Sequence, residues 1–438
     1  MSPQFDELET GYDVFVSSSV LHAHNGHAEA AGFREVRYPF GSTARALCAF
    51  RRLLGLLFLA VLPAQSATVL VLRFHNASAF PDLSWVGESV SEVLSTELSG
   101  TSLIVVNRDT RSEAMKRLSL RSEADFTKAT VIRLGQTVGA DFVVYGIYTA
   151  TPDAASKELR TSTLSITARM LDLRHFHDGP EVTETGKLAD LDRLEEHLAW
   201  QSIKTLDPSG NPRIEDFLAP QKIIRVDAQE SYVRGLLSAN QDQRQKWFMQ
   251  AVNVDPHFIS PSLELGKLYF SKKDYRAALL AFQKVPSTDS RYPEARFSMG
   301  LCAYNAGDYT AAAGYFREVA KTVPMNEVYN NLAAAESALN QPAALDDFRK
   351  AFDGDPNDPI YAFNLGLSLL RHNEYDEAAK HLTAAAENDT SDDDAETLLA
   401  LADDKTPFPP GTKSPVSVRL KLSFDATAFR ELKAMLTK

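Results

Sequence analysis

From residue 259 to residue 324 apolar positions recur at three- and four-residue spacing, the period of helices that each bury one stripe. The stripe itself recurs. Leu265-Gly266-Lys267-Leu268-Tyr269, followed by Tyr275, Ala278 and Phe282, returns 34 positions later as Met299-Gly300 with Tyr309, Ala312 and Phe316. A period of this size predicts helical hairpins that stack, because one hairpin cannot bury its apolar face alone. The pattern changes at both ends of this stretch. Upstream, Thr68–Phe74, Leu103–Val106 and Asp141–Gly146 are short β-branched runs of strand length. Downstream, Val416, Val418, Leu420, Leu422 and Phe424 alternate with Ser417, Arg419, Lys421 and Ser423, which predicts a half-buried strand. Asp425 can cap a following helix that carries Phe429, Leu432 and Leu436 on one face. A lone strand is not stable, so this tail is expected to dock on another part of the protein or on a partner.

Between residues 68 and 206 the predicted order is strand, helix (86–98), strand, helix (112–118), helix (130–138) and strand. Thr163–Leu173, a turn at His175–Pro180 and Val182–Lys187 continue it as a meander, and Asp190 caps a last helix with Leu191, Leu194 and Leu198 on one face. Asp207-Pro208-Ser209-Gly210-Asn211-Pro212 is a breaker cluster that ends the unit.

The repeated stretch resembles the tetratricopeptide (TPR) helix-turn-helix, in which a Gly or Ala stands where the two helices of a unit cross and a large apolar residue plugs the gap. On that resemblance the second unit supplies Gly266, Ala278 and Phe282, and the third Gly300, Ala312 and Phe316. The fourth supplies Ala333, Ala344 and Phe348 across a slightly shortened turn at Gln341-Pro342, and the fifth Gly366, Ala378 and Leu382. A degenerate first unit runs from Asp227 to Pro256 with Tyr232, Gly235 and Ala251, and Ser391–Ala402 forms a final cap. Upstream, Val71–Ser78, Trp85-Val86-Gly87-Glu88, Glu92, Leu134-Gly135 and Gly139–Gly146 together resemble the TolB amino-terminal domain family, departing from it at Arg73, where Pro is usual, and in a His-rich turn at 175–179. That resemblance implies a binding and assembly module with no catalytic residues.

The expected fold is therefore α+β and multidomain: 1–67 leader and signal segment, 68–206 TolB-N-like α/β domain, 207–225 linker, 226–402 an array of about five TPR units plus a cap, 403–415 Pro-rich linker, and 416–438 a β-α tail. Arg51-Arg52, the apolar core 53–63 and the small residues through Ala67 have the layout of a secretory signal. The apolar run is shorter than the roughly 20 residues that cross a bilayer, and the competing reading is a buried core helix. Its position predicts that translation starts near residue 45, that the mature chain begins near Ala67, and that the protein is exported to the periplasm or envelope. No Cys follows the run, so no lipid anchor is expected.

Composition narrows the chemistry. A formal charge of -12 over 438 residues argues against nucleic acid, whose binding needs clustered Lys and Arg. Cys48 and Cys302 alone make no disulfide framework. His175, His177 and Asp178 lack a third ligand and read as a solvated hairpin; Asp392–Asp394 read as a solvated helix start, and Glu88 and Glu92 as outer-face charges. No phosphate-binding loop, nucleophile elbow, cofactor or metal site is expected, and no enzymatic activity. What remains is the concave wall of the array, where the phasing places Lys267, Phe270, Phe297, Leu301, Tyr304, Asn305, Asn330, Phe363, Leu367 and Arg371. Rings interleaved with amides suit an extended peptide, although Phe297, Leu301 and Phe363 also suit packing between repeats. The Lys-Asn clamp of TPR domains that hold a terminal carboxylate is not present at the matching positions. The expected function is an exported, non-catalytic adaptor for protein or peptide partners in the bacterial envelope. The alternatives are a sensor binding a small ligand through the α/β domain and an oligomeric outer-membrane assembly or secretion component.

Overall fold

The computed structural model describes residues 66–121, 124–153, 159–208, 213–215, 223–389, 391–408 and 416–436. The expected leader and signal core, most of the first linker, and residues 409–415 of the second lie outside them. No described helix is long and apolar enough to cross a membrane.

The first layered unit is built on a mixed sheet. Strand β1 (Thr68–Val71) runs parallel to β3 (Ile104–Val105) and to β4 (Phe142–Thr151), and the short β2 (His75–Asn76) also pairs with β4. Strand β5 (Thr163–Asp172) is antiparallel to β4, and both β6 (His177–Asp178) and β7 (Val182–Lys187) pair with β5. Alternate residues of β1 serve opposite faces. Val69 and Val71 join the cluster that includes Val86, Val90, Leu94 and Leu98 of helix α1 (Val86–Ser99) and Leu191, Leu194 and Leu198 of α4 (Leu191–Leu206). Leu70, with Leu72 just past the strand's end, joins Ala114 and Met115 of α2 (Arg108–Arg117) and Val131 and Leu134 of α3 (Lys128–Thr137). Burial on both faces explains why β1 reads as an unbroken apolar run.

The phrases that carried the TolB resemblance meet at one place. Phe74 N donates to Gly87 O at 3.1 Å, and a Cβ on Gly87 would lie 1.9 Å from Phe74 O. Only glycine allows that approach. Glu88, expected on the outer face, is instead 3% exposed. It pairs with Arg111 and, at 3.2 Å, with Arg108, while Arg111 Nη1 also donates to Val71 O at 3.1 Å. Both cations lie on α2, out of reach of any local pattern.

The array comprises α5 (Val226–Leu237), α6 (Gln241–Val254), α7 (Ile259–Ser271), α8 (Tyr275–Phe282), α9 (Tyr292–Asn305), α10 (Tyr309–Ala320), α11 (Asn326–Ala338), α12 (Ala343–Gly354), α13 (Pro359–Arg371), α14 (Tyr375–Asn388) and the capping α15 (Asp393–Asp403). The repeat glycines are explained by what they touch. A Cβ on Gly266 would meet Phe282 at 2.5 Å, one on Gly300 would meet Phe316 at 2.5 Å, and one on Gly366 would meet Leu382 at 2.6 Å. Gly235 and Phe248 have the same relation at 2.4 Å, so the eroded first unit packs as the others do. In the fourth unit Ala333 and Phe348 are fully buried. The first helices of units two to five end on left-handed residues, Lys273, Gly307, Asn340 and Asn373, with φ between 54° and 82°. Ala278, Ala312, Ala344 and Ala378 are buried at the second-helix positions assigned to them.

Helix α5 belongs to both halves. Val233 is buried in the α/β core, Arg108 Nη2 donates to Leu236 O at 2.5 Å, and Gln229 Nε2 donates to Glu195 Oε2 at 3.0 Å. This junction gathers carboxyls. Burial first, then the neighbouring Glu88, pushes Glu92 up to about 7; burial first, then Asp192, pushes Glu196 up to about 7. The folded state therefore holds protons that the unfolded chain has released above its ordinary value of 4.5. The stabilisation is full below that value and is lost as pH rises through about 7. Thermal melts should show the melting temperature falling from about pH 5 to about pH 8, and Glu92→Gln with Glu196→Gln should flatten that slope.

The tail departs from its expected form. Residues 416–424 are extended but pair with no strand among the described residues, and α16 (Ala426–Leu436) follows. Asp425 does cap this helix, accepting from Thr427 N and Ala428 N, and Phe429 is buried. Leu436, expected on the buried face, is 62% exposed, as is Met435.

Candidate functional site

The extended segment lies along the first helices of the fourth and fifth units, α11 and α13. Asparagine is a poor helix former, and a buried amide is costly unless its hydrogen bonds are made. Yet Asn330, Asn331 and Asn364 sit inside these helices fully buried. Their partners are the main chain of the tail. Arg419 N donates to Asn364 Oδ1 at 2.8 Å, and Asn364 Nδ2 returns a bond to Arg419 O at 2.7 Å. Lys421 N donates to Asn331 Oδ1 and Asn331 Nδ2 donates to Lys421 O, both at 2.8 Å. Asn330 Nδ2 adds a bond to Arg419 O at 3.0 Å, and its Oδ1 accepts from Asn364 Nδ2 at 2.8 Å. Each clasping amide offers one donor and one acceptor to alternate residues, as a neighbouring strand would. This is why the segment is extended without a sheet.

Side chains add charge and ring contacts. The Arg419 guanidinium lies 3.5 Å from the Phe363 ring centroid and holds Asp392 through two bonds, Nη2 to Oδ1 at 2.6 Å and Nη1 to Oδ2. Asp394 is 3.5 Å away. Lys421 Nζ meets Asp358 Oδ2 at 2.5 Å and lies over Tyr361. Asp358 and Asp392 also cap α13 and α15 through backbone N–H groups, so each carboxylate serves a helix start and a cation together. Asp392, expected to be solvated, is 9% exposed, and the hydrogen bond from Arg419 holds its carboxyl below the usual carboxylate range. Val416, Val418 and Leu420 join the cluster that contains Phe363 and Leu367, while Phe424 lies 5.4 Å from the Phe297 ring. Asp425 N donates to Glu327 Oε1 at 3.1 Å.

The residues chosen from sequence fall into separate groups. Asn330, Phe297 and Phe363 touch the segment. Leu301, Tyr304 and Phe270 belong to the cluster that also takes in Leu420 and Phe424, with Tyr304 stacked edge-on against Tyr309. Lys267 is engaged by Glu294 at 3.0 Å and Glu264 at 3.5 Å, which raise its basicity against the cost of burial. Asn305 Nδ2 donates to Leu301 O within its own helix. Arg371 donates to Ser337 Oγ and lies over Phe408. The sequence pattern does not single out Asn331, Asn364, Asp358 or Asp392 as binding residues. One signal for them existed: Asn330 and Asn364 stand 34 positions apart, amides at the same repeat position in otherwise apolar helices.

Elsewhere His175 Nδ1 contacts Asp172 Oδ2 at 2.9 Å and Lys128 pairs with Asp178. Among the described residues no group of three or more His, Cys, Asp or Glu could hold a metal ion. Burial pushes the Cys302 thiol up to about 12, so it is not a reactive thiolate.

The Tetratricopeptide repeat family model matches residues 263–326 and 331–393, which include α13, most of α11, Asn331 and Asn364, while Asn330 falls in the gap between the two stretches. This chain carries tetratricopeptide repeats. Protein bimA of Emericella nidulans is 31% identical over 113 residues, 26% of this chain; the match spans only 13% of bimA's own length. Among solved structures, MamA (residues 41 to the end) from Desulfovibrio magneticus RS-1 is 21% identical, covering 38% of this chain and 95% of that one with a TM-score of 0.35. YrrB, described as a TPR protein with an unusual peptide-binding site, is 22% identical, covering 35% of this chain and 81% of its own with a TM-score of 0.32. The matched repeats exclude α5 and α6, whose Gly235–Phe248 contact nevertheless copies the TPR packing.

Proposed function

We propose that this protein is a non-catalytic, exported adaptor of the cell envelope that holds an extended protein segment in the concave groove of its TPR array. The observation that carries the reading is the pair of asparagines, Asn331 and Asn364, each binding both main-chain groups of one residue of an extended segment. Amides that read the backbone, rings that cover apolar side chains and carboxylates that take cations form a peptide-recognition surface. The basic, apolar and small-residue sequence around positions 51–67 supports export. The α/β module, with its Phe74–Gly87 contact, supports a TolB-N-like assembly role beside the repeats. In a chain whose tail is released by Arg419→Glu with Lys421→Glu, a photocrosslinker at position 304 should capture protein partners in the envelope fraction, and adding Asn331→Leu with Asn364→Leu should abolish the capture. A crosslinking pattern unchanged by those substitutions, or a protein found only in the cytosolic fraction, contradicts the reading.

One observation favours a second reading, small-ligand input through the α/β module. A cavity of about 260 Å³ lies between that module and the array, lined by Glu92, Glu97, Asp192, Glu196, Tyr232 and Phe258 among others.

A further inference from the structure

The groove is occupied by the protein's own chain, and its occupant specifies the chemistry of what can replace it. We infer that residues 416–424 are a resident competitor, and that the partner is a protein segment of the same pattern: extended, apolar at alternate positions, with cationic side chains two residues apart. This rests on the groove reading above and adds to it both the partner's charge and the device that limits access.

Three features lead here. The asparagine bonds reach only main-chain atoms, so they accept any extended segment and select none. Selection falls to Asp392 with Asp394 on one side and Asp358 on the other, which take Arg419 and Lys421. A segment without two cations would leave those part-buried carboxylates uncompensated, at a cost that favours the resident. An acidic segment would also be repelled by a chain of formal charge -12. The third feature is incomplete burial of the occupant. Leu422 is 66% exposed, and Met435 and Leu436 are each 62% exposed, so the tail commits one face to the groove and leaves the other to solvent. The linker between Asp403 and Val416 ties the tail to the array and holds it at high effective concentration. A free segment of equal intrinsic affinity must therefore bind more weakly by the fraction of time the groove is open.

The test uses the full chain and a labelled synthetic peptide of residues 414–436, followed by fluorescence anisotropy. Arg419→Glu with Lys421→Glu in the protein places carboxylates against Asp392 and Asp358 and should free the groove while leaving its walls intact. This variant should bind the peptide at least about tenfold more tightly than the unaltered protein does. A peptide carrying the same two glutamates should bind neither. Val418→Asp with Leu420→Asp is a second way to release the tail and should give the same gain, with circular dichroism confirming that the array is folded. Equal, tight binding by altered and unaltered protein would overturn the competitor while leaving the groove reading standing. No binding by either folded released variant would overturn both. A glutamate peptide that binds as well as the native one would overturn the cationic requirement. A dimer of the unaltered protein that dissociates on tail release would assign the occupant to a second copy and also overturn the inference.

Discussion

Replacing Arg111 with leucine should destabilise the α/β module by about 3 kcal/mol, the low end of the cost of breaking a buried ion pair. The side chain is 6% exposed and Glu88 is 3% exposed. Removing the guanidinium leaves the Glu88 carboxylate in the interior with Arg108 alone, and strips a donor from Val71 O and from Ser91 Oγ. Arg108 keeps the loss from being larger. Pairing the change with Glu88→Leu should recover much of the stability, because two apolar residues need no solvation. Scanning calorimetry of the full chain would register the first variant as an earlier transition and the double variant as a partial return. A single variant that melts with the unaltered protein would contradict the structural role assigned to the pair.

Asn331→Leu together with Asn364→Leu should release the tail without unfolding the array. Leucine has nearly the shape of asparagine and suits a buried helix position, but it can neither donate nor accept. The change removes four of the five amide bonds that clasp Arg419 and Lys421, leaving the one from Asn330 Nδ2 to Arg419 O. At a net value of about 1 kcal/mol each, the docked state should lose about 4 kcal/mol, close to a thousandfold in its equilibrium. Limited proteolysis near the linker should then remove the tail rapidly while the repeats resist. Equal resistance in the variant and the unaltered protein would show that the amides are incidental to docking.

These effects separate what local sequence encodes from what it does not. The repeat was legible because Gly266 and Phe282, or Gly300 and Phe316, are near in sequence and touch each other, so pattern and contact coincide. Phe297 and Phe363 suit both the groove and packing between repeats, and each does both: it is buried in the array and meets the tail. Asn331 was not, since its direction depends on the rotation of α11 within the array, and its value depends on a segment 90 residues away. Glu88 misled for the same reason: its partners stand 20 and 23 residues downstream on another helix. The tail was read as a strand because alternation predicts an extended backbone. Alternation is silent about what supplies the hydrogen bonds, and here side-chain amides take the place of a ladder. Lys267 and Asn305 fit the pattern of polar inward residues, but each has a nearer partner in the array itself, Glu294 for one and Leu301 O for the other.

The central claim is that the chain's own extended segment fills the peptide groove, and amide hydrogen exchange at single-residue resolution tests it most directly. The amides of Arg419 and Lys421 bond to buried asparagines and should exchange orders of magnitude more slowly than in a free peptide of the same sequence. That protection should vanish in the Asn331→Leu, Asn364→Leu variant. Exchange at Arg419 and Lys421 as fast as in the free peptide, in the unaltered and folded protein, would contradict the account.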